Sequence, residues 1–214
     1  MFSDDSAALE ILLEFGLSPA ADTTWEHDHP EPAKTLEYQL MTASAYGNLE
    51  RVRLLLESGV DPAYTSPDGN AAWTAAWRHG HRDVADLLRA AGAPTVDLDS
   101  EEQLVSAILA GQTDEVDALI ASDADLLGRA LERFPDTKSA PASQGNLGGL
   151  RVLLALGVSM DLALHQALWH GQVEAAKLLL DGGADTSVTD ASYSADAAGW
   201  ARHGGHPAAI ALVS

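Results

Sequence analysis

The residues of this chain best suited to bind a metal ion stand together in the segment WEHDH, where His27 and His29 flank Asp28. Imidazole and carboxylate are the ligands that zinc and similar divalent ions take in proteins. Alternating residues on a loop provide no preformed geometry, however, and the sequence offers no distant third ligand. We therefore predict no metal site here, and we expect Trp25 to pack the segment onto its neighbours while the carboxylates stay in water.

Motifs that would indicate catalysis or a bound cofactor do not occur in the sequence. There is no G-x-S-x-G elbow for a nucleophilic serine, no phosphate-binding glycine loop and no H-E-x-x-H zinc motif. The glycine-rich stretch NLGGL (146–150) lacks the lysine and the strand of a nucleotide site. No cofactor and no catalytic residue are predicted, but an enzyme stays open as an alternative because acid–base chemistry needs only well-placed groups.

The composition restricts the classes of partner. The 214 residues carry 12 Lys and Arg against 32 Asp and Glu, a formal net charge of −20, and no cysteine. Nucleic acids and anionic membranes bind basic surfaces, so both are excluded as partners, and disulfide and thiolate chemistry is excluded as well. No apolar run approaches the ~18 residues of a spanning helix. Since the N-terminus is acidic where a secretory signal is basic, we expect a cytoplasmic protein.

A pattern of helix, glycine and second helix recurs along the chain, most clearly in AYGNLERVRLLLESGVDP and WRHGHRDVADLLRAAGAP. The glycines that end the first helices are spaced 33, 31, 34, 26 and 34 residues apart, and an apolar residue follows each by eight positions. The glycines are Gly47, Gly80, Gly111, Gly145, Gly171 and Gly205, and the apolar residues are Leu55, Leu88, Leu119, Leu153, Leu179 and Val213. Glycine suits a helix end that needs a left-handed residue. A helix pair with one apolar face must stack on its neighbours to bury that face.

The period and the motifs resemble the ankyrin repeat. DGNAAWTAAWRHGH (68–81) keeps the family's first glycine and its G-H pair, LALHQALWHGQ (162–172) keeps its L-H pair, and GGAD (182–185) is the family's closing signature. The resemblance covers nearly the whole chain and implies an all-α solenoid of helix–turn–helix repeats with short β-hairpin or loop fingers. The alanine- and glycine-rich composition without cysteine favours a bacterial member of the family.

The resemblance predicts a single domain over residues 1–214. It consists of a half repeat (3–20), an inserted finger (21–38) and repeats at about 39–66, 67–97, 98–126, 127–159, 160–188 and 189–214. Prolines and acidic residues in the finger disfavour helix. The segment 127–144 fits the first-helix pattern poorly and predicts a helix followed by an irregular loop. A short step between Gly145 and Gly171 predicts a nearly deleted hairpin, and hence a notch beside Trp169 and His170.

In solenoids of this kind the hairpin tips and the last exposed residues of each first helix line the concave surface. These positions are rich here in aromatic residues, Arg and His, which binding surfaces favour. The predicted partner- or ligand-binding groove consists of Tyr46, Asn70, Arg78, His79, Asp161, Trp169, His170, Tyr193 and His203.

The histidines divide into structural and groove positions. His165 occupies the family's T-P-L-H position, which implies a hydrogen bond to the backbone between repeats. His81 and His206 follow a glycine at the G-H position and are also interpreted as structural. His170 and His203 form the one pair that the repeat spacing brings close enough to share a ligand.

The tryptophans of the repeats are expected to differ in burial. Trp73 fills an apolar position of a first helix and is expected in the core. Trp77 replaces a small residue and should push a neighbouring element aside. We expect Trp200 to pack under the C-terminal end and Trp169 to be exposed.

The leading functional hypothesis is a protein-binding scaffold or adaptor whose concave face captures a partner with a basic surface, because opposite potentials speed encounter and reject wrong partners. An inhibitor or immunity-type protein for a basic enzyme is a specialised version. The alternative is a small-molecule-binding protein or enzyme with a pocket near Trp169, His170 and His203. A third hypothesis is an assembly unit whose last repeat is covered by a second copy.

Overall fold

The structure, a computed structural model, describes residues 6–14 and 35–214. These residues form fourteen α-helices and one 3₁₀ turn, and the extended pairing among them is an isolated antiparallel bridge between Thr65 and Ala71. The predicted all-α class is confirmed for this part of the chain. None of the described helices is both long and apolar enough to cross a membrane.

Most of the predicted finger, with Trp25, His27 and His29, lies outside the described residues. Its last four positions are described, and they are helical rather than part of a loop, because α2 (Thr35–Ala45) begins there. Leu36 and Leu40, one turn apart, are both buried. The apolar face of the helix therefore extends into the stretch that we had assigned to the finger.

The first compact unit of the structure ends at Asp97. Its helices are α1 (Ala7–Glu14), α2, α3 (Leu49–Glu57), α4 (Ala72–Arg78) and α5 (Arg82–Ala90). α2 packs on α4 and α3 packs on α5, so two helix pairs lie side by side. Leu40, Leu55 and Leu88 are fully buried between them, and Leu9 of α1 packs against the same core.

The two tryptophans of α4 behave differently from each other. Trp73 is buried, as expected. Trp77 is half-buried, and its ring stacks on that of Trp73 at a centroid distance of 5.3 Å and an angle of 18°. The guanidinium of Arg82, on the first turn of α5, lies 3.6 Å from the centroid of the Trp77 ring. The larger side chain is thus packed between α4 and α5 of its own repeat.

The second compact unit spans Leu98–Ser214 and has its own core. Its elements are α6 (Ser100–Leu109), α7 (Thr113–Ser122), α8 (Leu126–Arg133), the 3₁₀ turn Pro135–Lys138, α9 (Ala140–Gln144), α10 (Leu147–Ala155), α11 (Asp161–Trp169), α12 (Val173–Asp181), α13 (Ala197–Gly204) and α14 (Pro207–Ile210). The first helices α9, α11 and α13 pack in sequence, and α10 packs on both α6 and α12. Only five residues, 156–160, separate α10 from α11, as the shortened repeat predicted.

The segment 127–144 is more regular than we expected. After α8 the chain forms a 3₁₀ turn and the short helix α9 instead of an irregular loop. α8 packs on α6 through Leu126 and Ala130, which are four residues apart and buried. Arg133 donates a hydrogen bond of 2.6 Å to Asp99, the residue that caps α6. That ion pair is exposed, so the apolar contact is the larger stabilising contribution.

The six glycines that end the first helices all have left-handed φ, between +69° and +78°, which confirms the predicted helix ends. The residue after each of three later glycines reaches back to the preceding repeat of the same unit. His81 Nε2 donates to the carbonyl of Ala45 (3.2 Å), Asn146 Nδ2 to that of Leu109 (2.7 Å), and Gln172 Nε2 to that of Ser143 (3.2 Å). Each accepting carbonyl lies two residues before the glycine of its own repeat.

These contacts require that the glycine beneath them has no side chain. A Cβ on Gly47 would collide with the ring of His81, and a Cβ on Gly171 would collide with the ring of His206. The interpretation of both histidines as structural stays a prediction, and these close approaches support it. Gly59, which also has a positive φ of +85°, has open space around the position of a Cβ.

Gly47→Ala is therefore expected to lower the free energy of unfolding more than Gly59→Ala does. Both variants place alanine at positive φ, which costs about 1–2 kcal/mol. Only Gly47→Ala also forces a Cβ into an imidazole ring, which adds roughly 1–3 kcal/mol of overpacking. Urea denaturation followed by circular dichroism measures both values. Equal losses would show that His81 is not held against Gly47.

The lowered pKa of His81 also predicts how the free energy of unfolding depends on pH. Burial lowers the pKa of His81, and the nearby charge of His79 lowers it further, against the opposing effects of the Ala45 carbonyl and Asp83. Since the folded state keeps the imidazole neutral, the unfolded chain binds more protons below its ordinary pKa of about 6.5, and stability falls as the pH drops below that value.

His81→Gln keeps an N–H donor, as Gln172 does at the equivalent position, but removes the titrating ring. We expect the variant to lose less stability than the parent protein between about pH 7.5 and pH 5.5. Some loss should persist because burial also lowers the pKa of His165. Denaturation midpoints across this range give the two slopes, and identical slopes would contradict the assignment.

Candidate functional site

Six of the nine predicted groove residues line two cavities, one within each unit. The cavity of the first unit, with a volume of about 260 Å³, is lined by three of them: Asn70, Arg78 and His79. The cavity of the second unit, with a volume of about 470 Å³, is lined by three others: Trp169, Tyr193 and His203. The other three predicted residues, Tyr46, Asp161 and His170, are not among the residues that line either cavity.

The cavity of the first unit is formed by α2, α4 and the residues flanking α4. Its lining consists of Met41, Thr42, Ala45, Asn70, Ala71, Thr74, Ala75, Arg78 and His79. His79 Nδ1 donates to the carbonyl of Ala75 (2.8 Å), which leaves Nε2 as the ring's acceptor in the neutral form. The guanidinium of Arg78 and the amide of Asn70 add donors. This combination suits a polar segment of another chain rather than an apolar ligand.

The cavity of the second unit, which we call the aromatic pocket, lies between α11, α13 and the connection 182–196. Its lining is Trp169, Tyr193, Ala195, Gly199, Trp200 and His203. Trp169 is the last residue of α11, and Tyr193 belongs to the connection. Trp200 and His203 are three residues apart on α13, so one face of that helix supplies both.

Trp200 is at the centre of this group of rings. Its centroid lies 5.3 Å from that of Trp169 at 54°, 5.6 Å from that of Tyr193 at 81°, and 6.1 Å from that of His203 at 89°. Inclined pairs at these distances are favoured by the ring quadrupoles. Trp200 is half-buried among these rings, whereas we expected it to pack under the C-terminal end. Trp169 is exposed, as predicted.

Two of the three predicted groove histidines, His170 and His203, contact the indole of Trp169. The centroid of His170 lies 4.9 Å from that of Trp169, and the centroid of His203 lies 6.0 Å from it. Of the two, His203 lines the aromatic pocket. In the described residues no group of three or more His, Asp and Glu side chains is placed to hold a metal ion.

Asp190 holds the connection 182–196 onto α13. Its Oδ1 accepts from the N–H groups of Ser192 (2.8 Å) and Tyr193 (2.6 Å), and its Oδ2 accepts from the N–H of Ala195 (3.1 Å) and from Nε1 of Trp200 (2.9 Å). Desolvation acts to raise the pKa of Asp190, but these hydrogen bonds to the carboxylate outweigh it and lower the pKa to about 2. The carboxylate is therefore ionised throughout the physiological range.

The sequence analysis did not single out Asp190, although the run TDASYSAD contains a signal for it. An aspartate followed closely by Ser and small residues favours a turn in which the side chain accepts backbone N–H groups. Trp200 is expected from its place in the first helix of the last repeat to pack under the C-terminal end, and no local pattern indicates its indole N–H partner, which lies ten residues away along the chain. The two residues that organise the aromatic pocket thus became visible only in the structure.

His165 lies beneath the aromatic pocket. It is buried, and its ring stacks on Trp200 at a centroid distance of 6.1 Å and an angle of 15°. The backbone of Val188, in the connection 182–196, acts on the ring as a hydrogen-bonding group, although neither ring nitrogen meets strict hydrogen-bond geometry with a described residue. Burial lowers the pKa of His165, while the carboxylate of Asp190, the backbone of Val188 and the carboxylates of Asp196 and Asp161 act to raise it.

Asp161 links the start of its repeat to the turn that ends the same repeat, and it is not among the residues that line the aromatic pocket. At the start of α11, its Oδ1 accepts from the N–H of Asp185 (2.9 Å) and its Oδ2 accepts from the hydroxyl of Ser159 (2.9 Å). This arrangement ties the start of α11 to the turn that follows α12. Tyr46, just beyond α2, is 61% exposed.

Asp190→Asn is expected to loosen Tyr193 and Trp200 while leaving the helices in place. The amide has one acceptor oxygen, and its NH₂ group cannot accept, so N–H donors now bonded to the second oxygen lose their partner. Moreover, since its pKa is lowered, the native carboxylate keeps these bonds above about pH 3.8 and loses them as the pH falls toward 2.

The resonance of the Trp200 indole N–H in a two-dimensional NMR spectrum measures this effect directly. We expect it to move toward the position of an unfolded chain in Asp190→Asn. Asp61→Asn is the matched control, because Asp61 accepts from the N–H of Ala63 in a turn of the first unit. A resonance that stays unchanged in Asp190→Asn would refute the anchoring role.

Comparison with protein-family models identifies two stretches of the chain. Residues 39–130 match a model of ankyrin repeats in three copies, and residues 161–191 match an ankyrin repeat. No curated protein matches the chain. The matched stretches together cover more than half of the sequence and include helix pairs from each unit. The chain belongs to the ankyrin-repeat family.

Proposed function

We propose that this protein binds a partner protein that presents a basic surface, and that the aromatic pocket is the centre of the contact. Ankyrin repeats are generally scaffolds for protein interaction. The observation that carries the proposal is the aromatic pocket itself, in which Trp169 and Tyr193 are 38% and 75% exposed. Exposed tryptophan and tyrosine beside a cavity are the residues that dominate binding energy at protein interfaces.

Charge supports a basic partner. The formal net charge of −20 attracts a positive surface over long range and repels acidic ones. The polar cavity of the first unit, with Arg78, His79 and Asn70, supplies a second contact area of different chemistry. An inhibitor or immunity-type protein for a basic enzyme is a specialised form of the same proposal, and it rests on the charge.

A small-molecule-binding protein is the second candidate function, and the size of the aromatic pocket favours it. A volume of about 470 Å³ lies within the ~300–1,000 Å³ of typical ligand sites. The lining is mainly apolar, and its polar side-chain groups are the His203 ring, the hydroxyl of Tyr193 and the indole N–H groups of Trp169 and Trp200. Both candidate functions use the aromatic pocket, so they are distinguished by whether the pocket binds a protein or a small molecule.

The test of the first candidate uses the purified protein as bait in extract from its own host, at low and moderate salt. A variant with Trp169→Ala and Tyr193→Ala runs beside it. We expect one retained protein, bound at least about tenfold less by the variant and less at the higher salt, because both the aromatic contacts and the charge contribute.

Tyr46→Ala is the matched control, since it removes an aromatic side chain that is 61% exposed and lies outside the lining of both cavities. A partner retained equally by all three baits would contradict the role of the aromatic pocket. A partner retained equally at both salt concentrations would contradict the role of charge. If no bait retains a protein, the second candidate becomes the better account of the pocket.

A further inference from the structure

We infer that the aromatic pocket binds an alkylated ammonium group, of the kind found in choline or in a methylated lysine side chain. The inference concerns the chemistry of the group and rests on the proposed function only for its source, a side chain of the partner protein or a free small molecule. It is argued from the rings, from the surrounding charges and from the scarcity of hydrogen-bond acceptors.

Three aromatic rings line the same cavity at different inclinations. Trp169 and Tyr193 stand at 54° and 81° to Trp200, with centroids within 5.6 Å of it. A cation within about 6 Å of a ring centroid is attracted by the ring quadrupole, most strongly for tryptophan. Several inclined rings around one cavity attract such a cation from more than one side.

The charges around the pocket favour a cation. The carboxylate of Asp190 accepts the indole N–H of Trp200, and Asp196 caps α13, the helix that carries Trp200 and His203. None of the described residues that line the pocket is Lys or Arg. In addition, the hydrogen bond from Trp200 Nε1 to the carboxylate of Asp190 polarises the indole, because hydrogen-bonded groups polarise one another in a low dielectric. That polarisation makes the ring face more negative.

The lining also distinguishes an alkylated ammonium from an unmodified one. A lysine ammonium carries three N–H donors that must keep acceptors when water is removed. The side chains that line the pocket offer the Tyr193 hydroxyl and the His203 ring as acceptors. A trimethylammonium group has no N–H donor. The ring faces therefore attract its charge, and no donor is left without a hydrogen-bond partner.

Titration with choline, followed by tryptophan fluorescence at constant ionic strength, tests the inference without a protein partner. The neutral analogue 3,3-dimethylbutan-1-ol has nearly the same shape and lacks the charge. We expect choline to bind at least about fivefold more tightly than this alcohol, as cation–π attraction implies. Equal affinities would mean that the pocket reads shape and apolar surface alone, and would overturn the inference.

Substitutions at Tyr193 separate the ring from simple apolar contact. Tyr193 is 75% exposed, so its replacement does not threaten the core. Tyr193→Phe keeps the ring and is expected to bind choline within about twofold of the parent, whereas Tyr193→Leu is expected to bind at least about fivefold more weakly. Tyr46→Ala is again the control. Parent-like binding by Tyr193→Leu would overturn the inference.

Peptides identify the source of the group. A short peptide with one trimethyllysine is compared with the same peptide carrying unmodified lysine. Tighter binding of the methylated peptide than of choline supports a partner side chain, and tighter binding of choline supports a free small molecule. Binding of the unmodified peptide as tight as that of the methylated one, or failure of choline and methylated peptide alike, overturns the inference.

The two tests can fail separately. Choline binding with no retained protein would leave the chemistry of the pocket in place and remove the proposed partner. A retained protein with no binding of choline or methylated peptide would support the proposed function and refute the inference.

Discussion

In each unit, the stacking of the repeats depends on a side chain that packs against a left-handed glycine and donates a hydrogen bond to a backbone carbonyl of the preceding repeat. The accepting carbonyls of Ala45, Leu109 and Ser143 lie in the last turns of first helices, where the helix itself provides no partner. Close approach of the next repeat requires that glycine has no Cβ, as at Gly47 beneath His81. Imidazole and carboxamide both fill this role, because what the position needs is a short, planar group with an N–H donor.

This constraint also positions the aromatic pocket. Trp169 and His203 each lie two residues before the glycine that ends their helix, so they occupy equivalent positions in consecutive repeats. His206 lies against Gly171 where a Cβ would otherwise stand, and the rings of Trp169 and His203 lie 6.0 Å apart. The register of the scaffold thus places side chains whose chemistry has no part in holding the scaffold together.

The repeat spacing was sufficient to predict the helix pairs, the left-handed glycines and the neighbouring positions of Trp169 and His203. It could not predict the centre of the pocket, because Trp200 is oriented by Asp190, which lies in an irregular connection outside the helical period. The third repeat shows the same limit. Asp123 replaces the usual glycine there, in an extended conformation and paired with Arg129, and it is followed by an additional helix that no period predicts.

The hydrogen bonds between repeats also have a direction. In the three hydrogen bonds at the glycine turns, the donor belongs to the later repeat and the acceptor to the earlier one. Shortening the second unit from its C-terminal side would leave a bare helix-end carbonyl, which a water molecule satisfies. Shortening it from the other side would deprive Asn146 of its acceptor, and this is the same amide whose oxygen caps α10. The two ends of the stack are therefore not equivalent. Removing residues from one end exposes an acceptor, whereas removing them from the other end leaves a donor without its acceptor.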